Sequence, residues 1–197
     1  MATLDFWYEF ASTYSYPAAM RAEALAAERR VSLRWRPFLL GPIFAEAGWR
    51  DSPFNIYPVK GRYMWRDLQR VCEALGLPLV RPDPFPQNTL LAARAALAID
   101  ERLRPAFSRA VYAAEFGQGR SIADRGVLAE LLAEVGADAN AVLARAESPE
   151  NKVALKAACE EAKALGLPGA PCFVTAGREV FWGNDRLEQA LDWALRP

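Results

Sequence analysis

Ser12-Thr13-Tyr14-Ser15 is the segment best placed to do chemistry. It follows the aromatic-rich stretch Leu4–Phe10 and precedes an alanine-rich run that starts near Pro17. A hydroxyl between the end of a strand and the start of a helix can donate a hydrogen bond to an anion. The unpaired N–H groups of the helix and the positive end of its dipole face the same spot. Such surroundings lower the pKa of a thiol by roughly one to several units. The same position also suits a plain N-cap, for which Ser12 and Ser15 are both competent. Gly169-Ala170-Pro171-Cys172 forms a proline-headed entry into a second apolar strand. If the Ala170–Pro171 bond is cis, the backbone of Ala170 is free to pair with an extended peptide. Phe181-Trp182-Gly183-Asn184-Asp185-Arg186 opens a last helix. There Gly183 permits close backbone approach. The helix start suits a carboxylate, Asp185 suits an ammonium group, and Asn184 or Asp185 would equally serve as N-cap. Lys60 and Arg62, set among aromatic residues, could meet an anion or merely solvate a helix start.

The composition narrows the chemistry. The chain has 197 residues, 24 basic and 24 acidic, with no histidine and three cysteines. Without histidine there is no Ser-His-Asp or Cys-His catalysis and no imidazole acid–base chemistry. Cys72, Cys159 and Cys172 form no C-x-x-C pair and no disulfide framework, and a thiolate metal site is not expected. The neutral balance argues against nucleic-acid binding, and no apolar run reaches the ~20 residues of a membrane span. The first residues carry neither a basic region nor an apolar core of the export type, so the expected compartment is the cytoplasm.

These residues need a scaffold that brings both ends of the chain together. Residues 4–10 and 31–36 read as strands flanking a helix from about Pro17 to Arg30, a size suited to a parallel crossover. Residues 41–60, rich in Gly and Pro, read as an irregular loop. Helices are expected at 63–75, 88–100 (Gln87 or Asn88 near its N-cap), 105–116, 123–135, 140–145 and 149–165. Residues 172–175 and 179–182 form a hairpin, followed by a helix from Arg186 to Trp193. The order β-α-β, helices, β-β-α gives an α/β thioredoxin-like fold with an all-helical insertion: residues 1–48 and 166–197 form the thioredoxin-like domain and 49–165 the insertion. Ser12-x-x-Ser15 then stands where redox enzymes of that fold carry Cys-x-x-Cys, so the site survives without its disulfide.

Five segments in register carry a resemblance along nearly the whole chain. They are Phe6-x-x-x-Phe10-Ala11-Ser12-Thr13-Tyr14-Ser15-Tyr16, Pro58–Leu68, Phe85-Pro86-Gln87-Asn88-Thr89, Gly169–Val174 and Phe181–Leu187. The chain resembles the 2-hydroxychromene-2-carboxylate isomerase family, close to kappa-class glutathione transferases. That resemblance implies a homodimer that binds glutathione and a small aromatic acid. Carried over by motif, it makes Ser12 the residue that activates the glutathione sulfur. Ala170 and Pro171 would clamp the cysteinyl backbone, and Trp182, Gly183, Asn184 and Asp185 would hold the γ-glutamyl end. Lys60 would meet the glycyl carboxylate or the substrate acid, with Asn55, Phe85 and Asn88 on the substrate side. The implied reaction interconverts 2-hydroxychromene-2-carboxylate and trans-o-hydroxybenzylidenepyruvate, or a related aryl-pyruvate, by reversible thiolate addition. The alternatives are a kappa-like transferase or peroxidase and a non-catalytic binding protein. Two departures stand out: Thr13 where the family commonly has proline, and Cys172 where Ser or Thr is frequent. The second brings a thiol near the site, although Cys172 reads first as a packing residue, as free cysteines most often are.

Overall fold

The structure, a computed structural model, describes residues 2–196. Among these, four strands form one mixed sheet in the order β2-β1-β3-β4. They are β1 (Thr3–Tyr8), β2 (Ser32–Pro37), β3 (Cys172–Thr175) and β4 (Val180–Trp182). β1 runs parallel to β2 after the crossover helix α1 (Ser15–Glu28) and antiparallel to β3, which pairs antiparallel with β4. The chain thus has the α/β thioredoxin-like architecture, with helices α2 to α9 between β2 and β3 and α10 (Leu187–Ala194) closing the chain.

β1 is central, and that decides its burial. Its polar residues suggest a half-exposed strand, yet Leu4, Phe6, Trp7 and Tyr8 are all fully buried. Phe6 stacks on Phe173 of β3 at 5.2 Å and meets Trp35 of β2 edge-on at 4.8 Å. Asp5, also buried, is neutralised by both nitrogen arms of the Arg34 fork on β2, one at 2.9 Å. Burying these aromatic side chains contributes roughly 1.5–3 kcal/mol each before the entropy of ordering them.

The segment 41–60 departs from its expectation. Instead of an irregular loop it contains α2 (Gly41–Glu46) and α3 (Pro53–Ile56), and α4 (Pro58–Leu75) begins five residues before Tyr63. The reason is the position of the prolines. Pro42, Pro53 and Pro58 all lie in the first turn, where the missing N–H has no intrahelical partner to lose. Ser52 Oγ accepts from Phe54 N–H at 3.3 Å and caps α3. Gly61 lets α3 and α4 touch, because a Cβ there would collide with the Phe54 carbonyl.

The remaining helices are α5 (Leu90–Ala98), α6 (Arg104–Tyr112) with a π-turn at Ala113–Gly117, α7 (Arg125–Glu134), α8 (Ala139–Ala146) and α9 (Pro149–Ala164). Asn88 Oδ1 accepts from Leu90 N–H at 3.0 Å, as expected of a residue at the start of α5. Gln87 does something else: its Oε1 accepts from Ile122 N–H at 2.7 Å and ties the two segments together. No helix among the described residues is long and apolar enough to cross a membrane.

Candidate active site

β1 ends at Tyr8, and the chain turns before α1 begins at Ser15. Ser12 N–H donates to the Glu9 carbonyl at 3.0 Å, and Ser15 N–H donates to the Ser12 carbonyl at 3.1 Å. This turn leaves Ser12 three residues ahead of the first residue of α1. Its hydroxyl does not cap α1, and neither does that of Ser15: the helix has no side-chain cap at all. Ser12 Oγ instead donates to the Ala170 carbonyl at 2.8 Å. The Ala170–Pro171 bond is cis. Two segments from opposite ends of the chain therefore meet at one hydroxyl.

Gly183 N–H donates to the Pro171 carbonyl at 2.9 Å, which brings the third segment to the same place. Gly183 has φ +116°, a conformation that side-chain-bearing residues rarely adopt, and a Cβ there would meet Asp185 Oδ1 at 2.5 Å. Asn184 and Asp185 do not cap α10, which follows a 3₁₀ turn over Asn184–Arg186 and has no side-chain cap. The reason is Arg21 of α1. Its Nε donates to Asn184 Oδ1 at 3.1 Å, its second arm bonds the Asn184 carbonyl, and its third pairs with Glu188. Asn184 is thereby drawn inward and buried, while Asp185 remains exposed, 3.7 Å from Arg186. The indole of Trp182, itself largely exposed, lies over Gly169, where a Cβ would meet its Nε1 at 2.9 Å.

These residues line a cavity of about 1010 Å³. Ser12, Ala170, Trp182, Gly183, Asn184 and Asp185 form one side of it. Lys60, Phe85 and Asn88 stand on the wall supplied by the chain between β2 and β3, with Phe44 and Trp49 adding apolar surface. Lys60 is exposed, its Nζ 4.8 Å from the centroid of the Tyr57 ring. Phe85 meets Trp65 edge-on at 4.9 Å.

Two expected site residues do not line the cavity. Pro171 is buried behind Ala170. Asn55 points at its own neighbourhood: its Nδ2 donates to the Asp51 carboxylate and to the Phe85 carbonyl, each at 3.2 Å. It braces the segment carrying Phe85. Cys172 packs, as its first reading has it, and supplies no reactive thiol. That side chain is fully buried, its Sγ–H donates to the Gly169 carbonyl at 3.1 Å, and burial pushes its pKa up to about 12. Thr13 is buried as well.

Two groups in the cavity wall were not singled out from the sequence. Tyr14 Oη donates to Asp67 Oδ2 at 2.7 Å, and burial together with that carboxylate raises the phenol above its usual range. Glu9, just past β1, is buried, accepts from the Thr89 hydroxyl, and is pushed up to about 7 by burial. The available signal was an acid interrupting an aromatic run three residues before Ser12.

Comparison with known proteins gives a consistent set of likenesses. A family model described as a DSBA-like thioredoxin domain matches residues 3–193. The chain is 30% identical over 187 residues to a 2-hydroxychromene-2-carboxylate isomerase of Sphingobium xenophagum, covering 94% of both chains. It is 27% identical over 204 residues to glutathione S-transferase kappa 1 of Homo sapiens, covering 94% of this chain and 88% of that one. A solved structure of 2-hydroxychromene-2-carboxylate isomerase superposes with a TM-score of 0.87 at 26% identity, covering 98% of this chain and 94% of the other.

Proposed function

The chain belongs to the DSBA-like thioredoxin domain family and to the 2-hydroxychromene-2-carboxylate isomerase family, and from that premise we propose that it is a glutathione-dependent isomerase of aryl-pyruvates. The observation that carries this reading is the 2.8 Å contact between Ser12 Oγ and the Ala170 carbonyl at the cavity wall. A hydroxyl so placed can donate to an anionic sulfur, in a position where no cysteine competes for it: all three thiols are buried.

The residues present fit glutathione. The cavity, about 1010 Å³, is at the upper end for a small-molecule site and has room for a tripeptide and an aromatic acid. Gly183 leaves backbone exposed, Asp185 offers a carboxylate to an ammonium group, and Lys60 offers an ammonium to a carboxylate. When bound, glutathione supplies a thiolate that adds reversibly to a conjugated double bond.

The chain's own residues do the rest. Ser12 stabilises negative charge on sulfur by donating its hydroxyl hydrogen, and the uncapped N-terminus of α1 favours charge of the same sign. Ala170 presents backbone to the cysteinyl residue, while Trp182, Asn184 and Asp185 hold the γ-glutamyl end. Phe85, Phe44 and Trp49 exclude water from the aromatic ring, which strengthens every polar contact inside. Lys60 orients an acid group, and Asn88 offers an amide at the same wall. Orientation of this kind supplies much of the acceleration in a reaction that needs no metal. The same reading makes the working unit a homodimer in the cytoplasm, and sedimentation equilibrium checks the dimer.

Titration of reduced glutathione into the protein, followed by heat and by the ultraviolet absorbance of bound thiolate, tests the site. Saturable binding with a thiolate signal near neutral pH is expected. No binding at millimolar ligand would overturn the proposal. The likeness to the human kappa transferase favours one second reading, irreversible transfer, which a retained glutathione conjugate among the products would identify.

A further inference from the structure

Glu9 and Ser12 sit at the same end of β1 and line the same cavity. Glu9 is only 6% exposed. One of its carboxyl oxygens accepts from the Thr89 hydroxyl at the start of α5. Its main-chain carbonyl accepts from Tyr112 Oη of α6 at 2.8 Å, which fixes the residue in place.

The titratable groups whose ionisation its charge opposes are Tyr112 from α6, Glu115 from the π-turn and Cys159 from α9. No cation is among them. Glu115 is itself fully buried, and neither of its carboxyl oxygens has a hydrogen-bond partner. Asp5, four residues earlier, shows what a structural buried acid looks like in this protein: it is matched by the two arms of Arg34. Glu9 has the burial without an ion-pair partner, and it is one of the residues that line the cavity.

We propose that Glu9 is the catalytic acid–base of this site, giving a proton to the ketone oxygen of the bound aryl-pyruvate as negative charge develops there and recovering it when the carbonyl re-forms. This rests on the isomerase reading above. In the forward step the O–H bond of Glu9 breaks and an O–H bond forms on the substrate, leaving Glu9 as carboxylate. In the reverse step the same proton returns, so atoms and electrons balance and no further reactant is consumed. Burial, opposed by the Thr89 hydroxyl, sets the group to titrate at about 7, where an acid–base residue is most effective.

The test uses the full chain as wild type, Glu9→Gln and Glu9→Asp. Infrared titration of the glutathione-free protein, taken as the difference between wild type and Glu9→Gln, should show a protonated carboxyl band that disappears with a midpoint at about 7. With glutathione and 2-hydroxychromene-2-carboxylate, Glu9→Gln should bind glutathione within about twofold of wild type yet lose about 100-fold in kcat. Its alkaline limb in the kcat profile should vanish, and Glu9→Asp should recover part of the rate. If Glu9→Gln does not fold, Thr89→Val takes its place: without the hydroxyl that stabilises the carboxylate, the alkaline limb should move to higher pH. A wild type that turns over while Glu9→Gln matches its rate and profile would overturn this inference alone. So would an unmoved limb in Thr89→Val, or the lack of a protonated carboxyl at pH about 6. A wild type that neither binds glutathione nor turns over would overturn the isomerase reading, and this inference with it.

Discussion

Ser12 Oγ donates to the Ala170 carbonyl at 2.8 Å across 158 residues of sequence. This contact closes the strand–helix junction at one end of the chain against the proline-headed strand at the other. The hydroxyl is thereby oriented before any ligand arrives, and its rotation toward a ligand sulfur exchanges one acceptor for a charged one.

Ser12→Ala should fold, at a cost of about 1 kcal/mol for a carbonyl left without its donor. Its kcat near neutral pH should fall about 100-fold, and the deficit relative to wild type at the same pH should narrow at higher pH as the unassisted thiol ionises. The ultraviolet absorbance of bound thiolate against pH checks this. Unchanged thiol titration would mean that Ser12 is not the activating group.

Asp185→Ala and Gly183→Ala should act on binding more than on chemistry. The first removes an exposed carboxylate; the second forces a Cβ onto that carboxylate and strains a residue at φ +116°. Each should weaken glutathione affinity about tenfold or more in a calorimetric titration, with kcat at saturating glutathione altered less. Equal affinities in wild type and Asp185→Ala would withdraw that residue from the site.

Arg21→Met tests how the γ-glutamyl segment is held. Arg21 reaches the side chain and carbonyl of Asn184 as well as Glu188, so one substitution releases the 3₁₀ turn from α1. A loss of about 1–3 kcal/mol in denaturant unfolding is expected, together with a higher KM for glutathione. A KM that stays at the wild-type value would show that the turn keeps its shape without Arg21.

Stability should depend on pH through Glu9. Its carboxyl, ordinarily near 4.5, is raised to about 7 in the folded chain by burial. Between those values the folded protein binds more protons than the unfolded one, so stability is full below about 4.5 and declines as pH rises through about 7. The loss amounts to about 3 kcal/mol for this group. The buried carboxyl of Glu115, also raised, adds a loss of the same sign. Glu9→Gln should therefore flatten the decline in denaturation midpoint between pH about 5 and 8, and parallel curves for the two proteins would contradict the assignment.

Much of the scaffold was legible because its signals are local. The β-α-β start and the hairpin at Cys172–Trp182 follow from runs of apolar residues and short turns. The helices of 41–60 were missed because a proline read as a breaker is, in a first turn, a helix starter. The harder failures concern destinations. Asp5 and Glu9 look alike in the aromatic run 4–10, yet one finds Arg34, 29 residues away, and the other finds Thr89, 80 residues away. Asn184 has the chemistry of an N-cap until Arg21 claims it. Cys172 neighbours the site in sequence, but β3 is buried along its whole length and its thiol lies in the core. A side chain's partner across the fold, not its type, decides these cases.

Glutathione-dependent isomerisation is visible in the ultraviolet spectrum of 2-hydroxychromene-2-carboxylate mixed with the purified protein, with and without reduced glutathione. A glutathione-dependent isomerase should show a saturable approach to equilibrium with trans-o-hydroxybenzylidenepyruvate that requires glutathione and falls about 100-fold in Ser12→Ala. Interconversion no faster than in buffer, or equally fast without glutathione, would contradict the isomerase reading.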